Sequence, residues 1–243
     1  MFNFLKNHPF PVEAYFDSSL VFTFALPKEI LQDRVPKPVK LDTFQDKWAF
    51  IAVAMVQTKS LRPKGFPKFL GNDFFLIGYR IFVTYKTDQN KRLRGLYILK
   101  SETDRKRMEF LGKLFTHYNY TKTDIHREVM GSREKIQSHK SGFQVEVDFD
   151  GHAEIPATSP FSSWKEARRF AGPLPFTFTH NRKRNQMLIV EGKRSNWKPE
   201  PVHVLTQDFG FLRENNFQKE AKLASAFVVK NIPYQWKKGR FSK

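Results

Sequence analysis

Two stretches of the chain are apolar at both parities, "SLVFTFA" (Ser19–Ala25) and "AFIAVAMVQ" (Ala49–Gln57). Runs of this kind are expected of strands covered on both faces. Between them, "LPKEILQDRVP" predicts a short helix with Pro27 in its first turn, stopped before Pro36. "LDTFQDKWAF" predicts a hairpin turning at Gln45–Lys47. A second hairpin is expected where Phe74–Tyr85 and Gly95–Lys100 flank the polar "KTDQNKRLR".

The period then changes. In "TDRKRMEFLGKLF", Met108, Leu111, Leu114 and Phe115 share one side of a helix, and Ser101 and Asp104 have capping-box-like spacing. A strand is expected near Ile125–Met130. Phe143, Val145, Val147 and Phe149 alternate with Gln144, Glu146 and Asp148, the pattern of a half-buried strand that ends at an Asp150–Gly151 turn. "SSWKEARRFAGP" predicts a helix capped by Ser163, with Glu166 three residues on, and closed by Gly172–Pro173. "PFTFTH" and "QMLIVEG" predict a hairpin around Arg182–Arg184. The tail offers Val202–Leu205, a short helical "EAKLASAF" and "IPYQWKKGR".

Many hairpins and few helices predict an α+β fold that is mainly antiparallel β. Closing such a sheet into a barrel would remove edges that invite aggregation. No repeat or Gly/Ser/Pro linker divides the chain, so residues 1–243 are read as one domain.

Composition narrows the function. The 243 residues include 26 Phe and 7 Tyr, bulky material for a core or a pocket lining. There is no cysteine, which excludes disulfides, zinc–thiolate sites, iron–sulfur clusters and cysteine nucleophiles. "MFNFLKNHPFPVEAYFD" lacks the apolar run of a signal peptide. The uncharged runs Trp48–Thr58 and Ser18–Pro27 fall short of the ~20 apolar residues of a membrane span. A cytoplasmic location is expected. The net charge of +18 favours an anionic partner, but Lys91–Arg94, Arg105–Arg107, Arg182–Arg184 and Lys237–Arg240 are dispersed, and no nucleic-acid-binding motif is present.

Candidate chemistry centres on "LGKLFTHYNYTK", where two lysines flank four rings. A lysine desolvated among rings would become a nucleophile able to form a Schiff base. Helical periodicity turns Lys113 away from the apolar stripe, into solvent. Lys122 shares strand parity with Tyr118 and Tyr120, placing it either at a pocket mouth or at a strand end open to water. Lys100 shares parity with Leu96 and Ile98, facing inward unless its side chain snorkels out. Arg80 shares parity with Leu76, Gly78 and Phe82 in the most apolar hairpin of the chain. A guanidinium there needs a carboxylate such as Glu102 or Glu109, or else an anionic ligand, and Gly78 leaves room beside it. The dispersed histidines and the absence of phosphate-loop or nucleophile-elbow motifs give no metal site and no cofactor.

In order, "LDTFQDKWAFIAVAMV", "GYRIFVTY", "GLYILKSET" and a helix ending in "LFTHYNY" resemble the YqjF-like family, a bacterial family of unknown function in the acetoacetate decarboxylase-like superfamily. "SPFSSWKEARRFAGPLPFTF", "SNWKPEPVHVL" and "IPYQWKKGR" extend the resemblance over nearly the whole chain. It implies a cone-like antiparallel β-barrel with flanking short helices and an interior cavity. It also implies that Arg80 is a recurrent family arginine. Tyr120 stands where the superfamily's decarboxylases carry a Schiff-base lysine. Lys122 lies two residues on, ~6–7 Å along a strand, and apolar residues around Leu76 replace an expected acid.

The leading expectation is therefore a barrel binding a small anionic or polar aromatic molecule without Schiff-base decarboxylation. Arg80 would anchor it, Tyr118 and Tyr120 would line the cavity, and Lys122 and Lys100 would stand nearby. No residue is assigned a catalytic role. The alternatives are a decarboxylase- or lyase-like enzyme using Lys122 or Lys100, and a basic nucleic-acid or membrane-surface binder. The ligand and the oligomeric state stay open at the level of sequence.

Overall fold

A computed structural model describes residues 4–151, 153–181 and 185–242. From the N-terminus the chain runs through β1 (Val12–Pro27), α1 (Lys28–Gln32), β2 (Val39–Leu41), β3 (Trp48–Pro63), β4 (Asn72–Lys86) and β5 (Arg92–Thr103). After α2 (Lys106–Phe115) come β6 (Tyr120–Lys122), β7 (His126–Met130), β8 (Arg133–Ser138) and β9 (Phe143–Asp148). The remainder holds α3 (Trp164–Phe170), β10 (Phe176–Asn181), β11 (Gln186–Arg194), β12 (Glu200–Pro201) and β13 (His203–Phe209). It ends with α4 (Gly210–Glu214), β14 (Lys222–Trp236) and β15 (Arg240–Phe241).

Eleven strands form the main sheet, whose central order is β14–β1–β3–β4–β5–β10–β11. Its pairings are antiparallel except β5 with β10 and β5 with β6. β11 also pairs with β14, through Gly192↔Trp236 and Arg194↔Tyr234. A four-stranded sheet, in the order β13–β9–β8–β7, forms separately.

The two-sided apolar runs explain themselves once the faces are separated. Successive residues of a strand point to opposite sides. In β3, Ile51, Val53 and Met55 join a core shared with Val145 and Val147 of the small sheet. Phe50, Ala52 and Ala54 join a second core with Phe161 and Phe227. The first side is built of bulky residues. The second carries a row of small ones, since Ala54 pairs with Gly78 and Gly78 with Ser101. Space is left there because side chains are missing.

Several local expectations match. The Ser163 side chain accepts a hydrogen bond from Glu166 N, and Glu166 Oε2 accepts one from Ser162 N, closing both ends of the cap on α3. The 143–148 strand alternates between buried and more exposed positions. The expected turn at Arg182–Arg184 lies outside the described residues.

Two expectations are corrected. The 220–227 segment is not helical. From Lys222 it pairs along β1, because its small residues Ala224, Ser225 and Ala226 fit a buried central strand, whose ladder overrides local helix propensity. Nor does the Ser101–Asp104 spacing cap α2. Ser101 and Thr103 still belong to β5, and Asp104 accepts a hydrogen bond from Phe75 N at 2.8 Å. No helix among the described residues is long and apolar enough to cross a membrane.

Candidate functional site

The small-residue row opens a cavity of about 120 Å³ within the second core. Ala52, Ala54 and Ser101 form part of its floor, and the chain after α3, from Ala171 to Leu174, covers one side. Arg80, from the middle of β4, projects into it.

Arg80 sits between Ala52 and Ile98 in the ladder. The guanidinium folds back over Gly78, where an added β-carbon would lie 2.8 Å from Nε and 2.9 Å from Nη2. Glycine is what lets the side chain lie along its own strand. Nε is shut off from water and has no hydrogen-bond partner among the described residues. Burial lowers the Arg80 pKa below its usual value. Tyr234, Tyr120 and Tyr118 oppose that shift, and Arg194 adds to it. Neither candidate carboxylate reaches it. Glu102 is bound by Lys100 at 2.7 Å, and Glu109 by Lys113 at 2.5 Å.

A second arginine enters the same cavity. Arg194, at the end of β11, is also shifted down by burial. Its guanidinium carbon lies 4.5 Å from the Trp197 ring centroid and 5.6 Å from that of Tyr234. One of its terminal nitrogens is buried without a hydrogen-bond partner. Ring faces attract a cation but do not neutralise it. Gly192, two residues before Arg194, leaves room for Tyr234, whose hydroxyl would clash with a β-carbon there. Arg194 was missed in the sequence, although its signal was legible. "GYR" (Gly78–Arg80) and "GKR" (Gly192–Arg194) repeat a glycine two positions before an arginine, on one face of an apolar strand.

Tyr118 and Tyr120 are buried in the cavity wall. Burial pushes the Tyr120 hydroxyl up to about 12, and Arg80 works against that shift. Tyr118 is pushed up still further by burial, then by Tyr120, while Thr177 pulls the other way. Both are neutral donors at ordinary pH.

The two lysines are not brought to the cavity. Lys122 is exposed at the end of β6. Lys100 leaves the face of Leu96 and Ile98 because β5 carries a bulge. Arg80 pairs with Ile98 but Tyr79 with Lys100, which reverses the parity of everything beyond Leu99. Lys100 therefore lies on the opposite side, on Glu102 and 5.8 Å from the Phe211 ring centroid. Among the described residues, no lysine and no carboxylate lines the cavity, and no cluster of His, Asp and Glu is set to hold a metal.

The fold resembles that of acetoacetate decarboxylase-like enzymes. An acetoacetate decarboxylase-like enzyme from Sphingomonas wittichii RW1 superposes with a TM-score of 0.61 at 10% identity, covering 97% of this chain and 93% of that one. Acetoacetate decarboxylase from Legionella pneumophila gives 0.62 at 10% identity, over 96% and 87%. The enduracididine biosynthesis enzyme MppR, complexed with the condensation product of pyruvate and imidazole 4-carboxaldehyde, gives 0.58 at 10% identity, over 97% and 90%. At such identities the likeness shows the fold alone. Residues 14–235 match the model of an uncharacterized conserved protein family, DUF2071 (COG2071), and the chain belongs to it. This is the YqjF-like family that the sequence blocks resemble. No curated protein matches the chain.

Proposed function

We propose that the chain is a single-domain, cone-like β-barrel that binds a small carboxylate at Arg80 and Arg194, with Tyr118 and Tyr120 as hydroxyl donors. The observation that carries this reading is the half-buried Arg80 guanidinium, whose Nε is shut off from water and unpartnered, in a cavity that no carboxylate among the described residues lines. Burying a charge without a partner costs several kcal/mol in effective terms, and an anionic guest removes that cost. Closure is supported by the pairings, since β14–β1–β3–β4–β5–β10–β11 returns to β14.

The outer surface is consistent with it. A groove carrying Lys59, Lys68 and Lys193 shares Arg194 and Tyr234 with the cavity, so that anions are steered to its mouth. MppR, on the same fold, is also seen complexed with pyruvate. Schiff-base decarboxylation is not part of the reading, because imine formation needs an amine at the bound carbonyl and no lysine among the described residues lines the cavity.

Calorimetric titration with pyruvate and benzoate tests it. Binding to the native chain, lost in Arg80→Leu, is expected. Equal binding by both proteins would sink the assignment. Borohydride added with a β-keto acid is expected to leave the mass unchanged, and a trapped adduct would restore the enzyme reading.

A further inference from the structure

A second chamber, of about 380 Å³, adjoins the first. The two share the side chains of Phe16, Leu76, Tyr118, Tyr120 and Trp236. Beyond these, the second chamber is walled by Phe10, Phe74, Met108, Leu111 and Phe115. These come from the N-terminal segment, from β4 and from the apolar face of α2. At its rim stand Phe66 and Leu70, both exposed.

The chemistry of the two chambers is opposite. The first holds two guanidiniums. The second is nearly without charge. Of its cations, Arg62 is held by Glu13 at 2.6 Å, and Arg107 is exposed. His8 is buried beside Tyr118, with ring centroids 5.3 Å apart. Burial, then the neighbouring His117, takes its pKa down to about 4, so it is neutral at pH 7. A roomy apolar chamber of this kind favours a hydrocarbon guest over water.

We propose that the ligand is a carboxylate with an unbranched apolar tail, its head at Arg80 and Arg194 and its tail passing Tyr118 and Tyr120 into the second chamber. This rests on the anion-binding reading above and names the class of molecule it concerns. A compact acid such as pyruvate would fill only the first chamber and leave the larger one empty. An acyl chain fills both. Leu76 and the two tyrosine rings then act as the collar between charged head and tail.

The experiment is calorimetry on the native chain with acetate, butanoate, hexanoate, octanoate and decanoate at fixed ionic strength. Affinity is expected to rise about fourfold for each methylene buried, then level off once the chamber is full. Leu111→Trp, which narrows the second chamber, is expected to lower octanoate affinity at least tenfold relative to acetate. The native series stands by itself if that variant does not fold. Acetate binding with no dependence on chain length overturns the tail and leaves the anion site intact. Octanoate binding that survives Arg80→Leu unchanged marks attachment to an apolar surface and also overturns the proposal. No binding across the whole series defeats the anion-site reading beneath it.

Discussion

Tyr79 and Arg80 are neighbours in β4, yet their side chains enter two different cores and meet opposite electrostatic treatment. On the side of Tyr79, the buried carboxylate of Glu102 accepts from Lys100 at 2.7 Å, Ser141 at 2.7 Å and the Tyr79 hydroxyl at 3.2 Å. Ser141 in turn meets Thr123, and Thr123 meets Ser138 of β8, so the cluster ties the main sheet to the small one. On the side of Arg80 there is a charge of the other sign, with rings and a second guanidinium for company. A buried charge with a full set of partners holds the fold together. Arg80 Nε has no such partner among the described residues.

The contrast breaks first at Glu102. Glu102→Leu leaves Lys100, Ser141 and Tyr79 without their acceptor and is expected to destabilise by about 3 kcal/mol. That corresponds to a fall of roughly 6–12 °C in Tm by calorimetry. No change would mean that this cluster is as dispensable as a surface pair. Arg80→Met, on the other face, is expected to act in the opposite direction. It removes an uncompensated charge at similar length and raises stability by roughly 1–2 kcal/mol in the absence of ligand. A loss of stability there would show that Arg80 has a structural partner after all, and the two faces would no longer differ in kind.

The smallest effect sharpens the comparison without disturbing either core. In Gly78→Ala the new methyl group presses on Nε and Nη2 of Arg80, and the flexible guanidinium shifts by several tenths of an ångström. Benzoate affinity is expected to fall about threefold through poorer hydrogen-bond geometry, with Tm almost unmoved. Unaltered affinity would mean that the exact position of the guanidinium does not matter to the anion.

Much of this site was legible before any coordinates. The apolar hairpin around Arg80 showed a charge out of place, and strand parity put Gly78 on its face. The ring-rich segment after α2 pointed to Tyr118 and Tyr120. What was not legible depended on distant parts of the chain. The place of Arg194 in the cavity was such a feature: its Gly-x-Arg pattern is local, but nothing local says that β11 comes round to pair with β14. Lys100 shared a face with Leu96 and Ile98 only because parity was counted through Leu99, and a bulge is set by the partner strand as much as by the bulged one. The 220–227 stretch looked helical until β1 was available to pair with it.

The sequence by itself determined the local periods. These are the alternation of bulky and small residues in β3, the cap of α3, the glycine beside each arginine and the absence of thiol chemistry. They depend on side-chain volume, hydrogen-bonding groups and the two-residue repeat of a strand, and all of these are written in consecutive letters. Only the tertiary structure decided that Arg80 and Arg194 share one cavity, that Lys100 and Lys122 stay out of it, and that an apolar chamber adjoins it along the two tyrosines. Those outcomes follow from which strands pair and in what register, and pairing is a contest among segments far apart in the chain.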